Sequence, residues 1–436
     1  MNLNKISKLI KDIKKKNFSV GIVGLGYVGL PLALRFINKS IKTYGVDSDL
    51  EKIQSLKKGN TYIKSISKKK LRYFKKNKNN ISNNYSVLSN CNIIIICLPT
   101  PLKKNKSPNL DYILSAIKKL KPYLKKFQTI ILESTVYPGT TRKIVKFVER
   151  DFVIGENLYL GYSPERENPG DKNFSYKTTP KVISGFSKNC LKIIDQVYKF
   201  VAKKRVPANT MEVAETSKLL ENLYRSINIG LVNELKIVCD KLKIDPYEVI
   251  DVASTKNFGF QKFIPGPGLG GHCIPIDPYY LSWISKKKGY EPKLIKTSGE
   301  INRKIPHWIY KKIRSALGSK KKLNILILGI SYKKNIDDDR ESPAFEVMKI
   351  FAKNNINFEY CDPFFKKIKK GRNININKKS IKLNKNTLKK FSAVLVVADH
   401  DLFDYNFISR NSKIVFDSKN LYKNKKYNKC KNIIFV

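Results

Sequence analysis

Apolar residues alternate between two rhythms along this chain. FSVGIVGLGYVGLPLALRFINKSIKTYGVD opens on a short β-rich apolar run and passes through closely spaced glycines. It continues with apolar residues at helical spacing and closes on a second run that ends at Asp47. That order reads strand, tight turn, amphipathic helix, strand. CNIIIICLPT (91–100), QTIILESTV (128–136) and NLYLGYSPE (157–165) are further buried-type strands, separated by amphipathic stretches such as LDYILSAIKKLKPYLKK. Strands alternating with helices predict a parallel, doubly wound sheet, in which ligands sit at the carboxyl ends of the strands. Thr100, Thr135 and Glu165 close those three runs, so they are expected to face a cofactor or substrate.

From about Asn209 to Ile244 apolar residues keep helical spacing without a proline, which predicts one long helix; Asp245 then caps the next, with Pro246 at its first position. Such a helix suits a spine between two α/β units and, where an apolar face stays free, a dimer interface. Lys218 and Asn222, four residues apart, share one of its faces. KKLNILILGISYKKNIDDDRESPAFEVMKIFAKNNINFEYCDPF then repeats the strand, turn, helix, strand order from near Leu323, followed by SAVLVVAD and SKIVFDSKN. Lys333, Arg340 and Lys419 stand at or beyond the strand ends of this half, where a phosphate-bearing ligand would be held. The Lys/Asn-rich stretch 366–390 is expected to be a surface excursion. The fold class is therefore α/β, with two Rossmann-like doubly wound domains joined by a long central helix. The expected boundaries are 1–208, 209–318 and 319–436.

A length of 436 residues and 42% hydrophobic content suit several self-sufficient cores. The net charge of +51 is mostly lysine, strewn through every segment rather than gathered with arginine and aromatics, so a nucleic-acid partner is not expected. Seven cysteines form no CxxC pair, and the charged start MNLNKISKLIKDIKKKNF lacks the apolar core of a secretory leader. Reduced thiols, a cytoplasmic location, no membrane insertion and no metal are the expectations.

Gly24, Gly26 and Gly29 form GxGxxG at the first strand–helix junction. The first glycine permits the turn, the second lets backbone approach a pyrophosphate, and the third lets helix pack on strand, while the helix N-terminus offers unpaired N–H groups to phosphate. Asp47 lies at the distance expected of the acid that binds the adenosine ribose hydroxyls, with no arginine directly after it to accept a 2′-phosphate. NAD is favoured, held by Gly24, Gly26, Tyr27, Val28 and Gly29, with Asp47 and Lys52 at the ribose and Thr100 and Thr135 further along. Cys273, in GPGLGGHCIPIDPYYL, is the candidate nucleophile, because a thiol beside a nicotinamide can hold an aldehyde covalently.

GLGYVGLPLA, LESTVYPGTTR, GYSPERENPGDKNF, ETSKLLENLYRSINIGLVNELKIVCDKL, FGFQKFIPGPGLGGHCIPIDPYYL and LGISYKKNIDDDRESPA together resemble the nucleotide-sugar dehydrogenases related to UDP-glucose and GDP-mannose dehydrogenase. The likeness spans nearly the whole chain. PER in SPERENPG and the loop PGPGLGGHCIPIDP are most similar to the bacterial branch acting on UDP-N-acetylhexosamines. The resemblance implies a four-electron oxidation at C6 with two NAD, through a thiohemiacetal and a thioester on Cys273. It implies that Lys218 and Asn222 stabilise the oxyanion, that Glu165 assists thioester hydrolysis, that Asp277 orders the water and the lysine, and that Thr135 holds the water or the nicotinamide end. Arg340 is implied to reach the NAD, and Lys333 and Lys419 the uridine diphosphate. Glu165, Arg166, Lys218, Asn222 and Gly270 are the implied sugar contacts. His272 is given packing or gating rather than base catalysis.

Two departures limit the likeness. Lys419 stands where the family often has arginine, which loses a planar bidentate clamp on phosphate, so either a lower UDP affinity or help from another cation is expected. FIPGPG lacks the basic residue that the UDP-glucose branch carries before its glycine loop. The expected substrate is UDP-N-acetyl-D-glucosamine, for surface polysaccharide (O-antigen or capsule) synthesis by a homodimer or higher oligomer. The alternatives are UDP-N-acetylgalactosamine or UDP-glucose as substrate, and a noncatalytic nucleotide- or nucleic-acid-binding protein.

Overall fold

A computed structural model describes residues 2–63, 66–166, 178–271, 274–318, 322–368, 376–423, 427 and 430–436. Among the expected functional residues, Cys273, with its neighbour His272, lies outside the described residues. The chain divides into two compact units, Met1–Glu221 with Tyr279–Tyr290, and Asn222–Pro278 with Glu291–Val436.

The first unit is built on eight strands: β1 (Ser19–Val23), β2 (Lys42–Val46), β3 (Ile81–Ser82), β4 (Ile93–Ile96), β5 (Thr129–Leu132), β6 (Tyr159–Tyr162), β7 (Lys181–Gly185) and β8 (Arg205–Pro207). Their order is β3-β2-β1-β4-β5-β6-β7-β8. All neighbours run parallel except the antiparallel β6–β7 pair. The first six follow the 3-2-1-4-5-6 order of a dinucleotide-binding sheet, whose switch point falls between β1 and β4. Ile93 to Ile96 are all fully buried, because helices cover both faces of a parallel sheet. The lysine-rich start is also structural. Asn2–Lys14 is a helix, and Ile6, Leu9 and Ile13, three and four residues apart, are buried in the same core as Tyr198 and Val201.

The second unit carries a parallel five-stranded sheet of β9 (Asn324–Leu328), β10 (Asn357–Cys361), β11 (Ala393–Val396), β12 (Val415–Asp417) and β13 (Ile433–Phe435), ordered β10-β9-β11-β12-β13. This 2-1-3-4-5 order has its own switch point between β9 and β11. The 366–390 stretch is less of an excursion than its composition suggested. Asp362 N donates to Ser380 Oγ at 2.9 Å, Ile381 N to Tyr360 O at 2.9 Å, and Leu388 is fully buried. Its scattered Ile and Leu supply an apolar lining that the Lys/Asn average hides.

Met211–Leu242 is one uninterrupted helix, with the unit boundary between Glu221 and Asn222. The next helix, Pro246–Ala253, has Asp245 at its N-cap accepting from Tyr247 N at 3.1 Å. Among the described residues no helix is long and apolar enough to cross a membrane.

Candidate active site

In the first unit the glycine turn follows β1 directly. Gly24 has φ +92°, and a Cβ there would meet the Cys97 carbonyl oxygen at 2.6 Å. A Cβ on Gly29 would stand 1.9 Å from the Gly24 carbonyl oxygen, where the helix Gly29–Asn38 presses on the turn. Around Gly26 nothing lies within 4 Å of an added Cβ, so this is the open side to which a pyrophosphate fits. Val28 caps the helix and Tyr27 beside it is exposed. Asp47, buried at the end of β2, accepts from Leu25 N at 2.8 Å and Asp49 N at 3.0 Å, with Lys52 Nζ at 3.6 Å. The turn, the acid and the helix terminus thus fit a dinucleotide.

The ends of β4 and β5 meet. Thr100 Oγ1 donates to the Thr135 carbonyl at 2.8 Å, and Tyr280 OH donates to the Thr100 carbonyl at 2.8 Å. Beyond β6, Glu165 shares a cavity of ≈ 30 Å³ with Val28, Arg35, Glu133, Arg166 and Lys181, room for a water or two. Burial pushes the Glu165 carboxyl above its ordinary range, while Lys218 and Lys181 pull it down and Glu133 adds to the rise. Arg166 is held by Glu221, with its Nε 2.8 Å from Oε1, and donates to the Pro180 carbonyl at 2.9 Å. Lys218 is buried on the spine helix. One turn earlier on that helix, buried Glu215 accepts from Gly139 N at 2.6 Å, Thr141 N at 2.7 Å and Thr141 Oγ1 at 2.6 Å, which ties the loop after Thr135 to the helix.

In the second unit Asn222 Nδ2 donates to Asp277 Oδ2 at 2.5 Å, and both side chains are buried. The glycine loop before Cys273 is fixed at several points. Gly266 N donates to Asn233 Oδ1 at 3.0 Å and Gly271 N to the Arg340 carbonyl at 2.9 Å. Gly271 has φ +87°, and a Cβ there would press on the Tyr332 ring at 2.9 Å; one on Gly270 would meet Tyr332 Cβ at 2.6 Å. The Arg340 guanidinium is gripped by Asp338, with Nε 2.9 Å from both carboxylate oxygens. Lys333 and Lys419 are half-buried beyond β9 and β12, Lys419 Nζ lying 4.0 Å from Asp399.

Sequence patterning passed over four groups. Glu215 stands three residues before Lys218, and Lys236 eighteen after it, which is five helical turns and therefore the same face. Lys236 is buried, with Nζ 4.9 Å from the Trp308 ring centroid and 3.4 Å from the Gly266 carbonyl it donates to. Burial lowers it to about 7, with Lys419 adding to the fall and Asp417 and Asp240 opposing it. Asp362, at the end of β10, takes the place that Asp47 has after β2, accepting from Ile330 N at 2.7 Å. Its partner His400 is fully buried, accepting at Nδ1 from Asn335 N at 2.9 Å and facing Asp362 with Nε2 at 3.3 Å. Against burial, His400 and the backbone donors hold Asp362 below the ordinary carboxylate range. The repeated strand–turn–helix–strand pattern held a signal for Asp362, which stands after the second strand of its unit as Asp47 does in the first. The fourth group is the set Glu133, Lys181 and Tyr198.

The same segments match known proteins. Residues 18–202 match the NAD binding domain of the UDP-glucose/GDP-mannose dehydrogenase family, 212–304 its central domain and 326–424 its UDP binding domain. The chain is 33% identical over 360 residues to UDP-N-acetyl-D-glucosamine 6-dehydrogenase of Pseudomonas aeruginosa, covering 80% of this chain and 83% of that one. It is 31% identical over 433 residues to UDP-N-acetyl-D-mannosamine dehydrogenase of Methanococcus maripaludis, covering 96% of each. Among solved structures, that of UDP-D-ManNAc dehydrogenase from Pyrococcus horikoshii is similar with a TM-score of 0.84 at 26% identity, over 96% of this chain and 98% of that one.

Proposed function

The chain belongs to the UDP-glucose/GDP-mannose dehydrogenase family, with NAD as cofactor, and from that premise we propose that it oxidises UDP-N-acetyl-D-glucosamine at C6 to the uronic acid in the cytoplasm, for surface polysaccharide synthesis. The observation that carries the reading is the buried polar pair on the spine helix, Lys218 and Asn222, with Asn222 hydrogen-bonded to Asp277. Burying a cation and an amide is costly, and two donors held one turn apart on one face are suited to charge that develops on a bound substrate.

The Gly24–Gly29 turn, with Asp47 and Lys52 at the ribose, would hold NAD, which would supply the hydride acceptor for each oxidation at C6. Cys273 adds its sulfur to the aldehyde carbon, so the half-oxidised sugar stays bound as a thiohemiacetal until loss of the second hydride leaves a thioester. Lys218 and Asn222 donate to the C6 oxygen while it carries negative charge, and Asp277 fixes the amide of Asn222. Glu165, raised by burial, takes the proton of the water that cleaves the thioester and frees the Cys273 sulfur. One CH₂OH and one water become one carboxylate as two hydrides and three protons depart. Thr135 holds that water or the nicotinamide end, and Thr100 lines the cofactor path. Arg166 and Gly270 border the sugar, Lys333 and Lys419 bind the diphosphate, and Arg340 reaches the cofactor.

A second reading changes only the configuration at C2. The Methanococcus relative and the Pyrococcus structure carry UDP-N-acetyl-D-mannosamine dehydrogenase names at comparable similarity, which favours testing that epimer beside the first. Mass spectrometry of the products from UDP-glucose and the UDP-N-acetylhexosamines, read with the NADH released, tests both. Two NADH per carboxylate from the N-acetylglucosamine donor is expected; no acid from any N-acetylated donor refutes the reading. Cys273→Ala is expected to abolish net acid formation and to keep sugar-nucleotide binding.

A homodimer accompanies this function. Val213, Leu220, Tyr224, Leu231, Val238 and Leu242 are all exposed on the spine helix. Their 7-4-7-7-4 spacing puts them within about 20° of one direction, a continuous apolar stripe suited to a second copy.

A further inference from the structure

Lining the same cavity as Glu165 is a buried group of charges that the reaction above does not use. Glu133 follows β5 and is buried, and Lys181 opens β7 with a largely buried side chain; their Nζ and Oε2 are 2.8 Å apart. Tyr198, fully buried on the helix Lys188–Tyr198, donates its hydroxyl to the other Glu133 oxygen, and its ring lies under Lys181 Nζ at 5.2 Å. Lys181 also donates at 3.0 Å to the carbonyl of Pro164, the residue bonded to Glu165. The same amine thus pairs with Glu133, anchors the loop that carries Glu165 and lines the same cavity as both carboxylates.

A buried ion pair is expensive to assemble, and neutral residues of the same shape would fill the space at lower cost. Glu165, Glu133, Lys181, Arg35 and Arg166 all line the same small cavity. From the spine helix Lys218 acts on Glu165 as well, and from the end of β4 the buried Cys97 faces both carboxylates. Lys181 stabilises the ionised form of Glu165, whereas Glu133 opposes it, and Tyr198 fixes the orientation of Glu133.

We propose that Glu133, Lys181 and Tyr198 form a buried platform that positions Glu165 and balances its charge, Lys181 and Glu133 acting on it in opposite senses. This rests on the reading of Glu165 as the group that handles the proton of the hydrolytic water. None of the three touches substrate in that reaction, so they are positioning residues.

The opposed signs make the test. Glu165 titration is isolated as the infrared carboxyl band lost between each protein and its Glu165→Gln counterpart, measured without substrate, and beside it the pH profile of acid formation is recorded. Lys181→Met is expected to raise the midpoint and Glu133→Gln to lower it, with Lys181→Arg close to the parent. If Lys181→Met does not fold, the double variant Lys181→Met/Glu133→Gln, which leaves no unpaired buried charge, is compared with Glu133→Gln alone and is expected to titrate higher. Shifts in the same direction for both charges, or no shift, overturn the platform. Absence of uronate from the parent protein while the infrared shifts appear refutes the reaction and leaves the platform standing.

Discussion

Asn222 has one amide hydrogen committed to Asp277 at 2.5 Å, so the orientation of its side chain is set before any substrate arrives. Preorganised donors of this kind contribute to rate rather than to ground-state affinity. Asn222→Ala is expected to lower kcat by about 10²-fold or more with little change in sugar-nucleotide Kd, measured by steady-state NADH production and calorimetric titration. Lys236 presents the opposite case, a charge that the fold disfavours. Its native value near 7 lies below the ordinary 10.5. Below pH 7 both folded and unfolded states carry the proton and the native state bears the whole cost of burying it. Between about 7 and 10.5 the unfolded chain binds more protons, so stability climbs with pH across that window. Lys236→Met is expected to stabilise the protein at pH 7, on the order of 3 kcal/mol once the lost contact with the Trp308 ring is set against the gain, and to flatten the climb. Chemical denaturation at several pH values checks both. Neither Lys236 nor Glu215 was legible in advance, because a lysine or glutamate on a helix is normally solvated and only packing shows that it is enclosed.

At the scale of elements, the glycine turn separates folding from binding within a few residues. Gly29→Ala drives a methyl into the Gly24 carbonyl at 1.9 Å. It is expected to cost about 1–3 kcal/mol or more, seen as a lower thermal midpoint. Gly26→Ala meets nothing within 4 Å and is expected to fold as the parent does while its NAD affinity falls at least tenfold, read by fluorescence titration. The spine helix shows the same division across its width. Glu215, Lys218, Asn222, Ser226, Asn233 and Lys236 are buried, whereas the apolar stripe from Val213 to Leu242 on the opposite side is exposed. Apolar residues such as Leu219, Leu223 and Val232 are buried on this helix as well, so it carries apolar residues on both its enclosed and its open side. The sequence reading recognised one continuous helix and the shared face of Lys218 and Asn222. Periodicity alone assigned no inside to it, because either stripe satisfies a 3.6-residue repeat. The amphipathic start, Asn2–Lys14, was passed over because its many lysines masked Ile6, Leu9 and Ile13.

For the molecule as a whole, the exposed stripe makes association testable. Sedimentation is expected to give a dimer or a multiple of one, and Leu220→Glu with Leu231→Glu is expected to release monomer while the circular dichroism stays helical. A parent that remains monomeric at micromolar concentration rules out the dimer. The strand–helix alternation of both Rossmann halves, their order along the chain, the turn at Gly24–Gly29 and the acid at Asp47 all followed from sequence alone, because each is written in residues within a few dozen positions of one another. Steric demands on glycine and the two hydrophobic periods are local and leave a local record. Tertiary structure alone decided that Asn222 meets Asp277, that Glu215 ties down Gly139 and Thr141, and that Glu133 and Lys181 pair at the cavity that Glu165 also lines. Those contacts join residues 48 to 76 positions apart, and a buried charge is distinguishable from a solvated one only once the chain has closed around it.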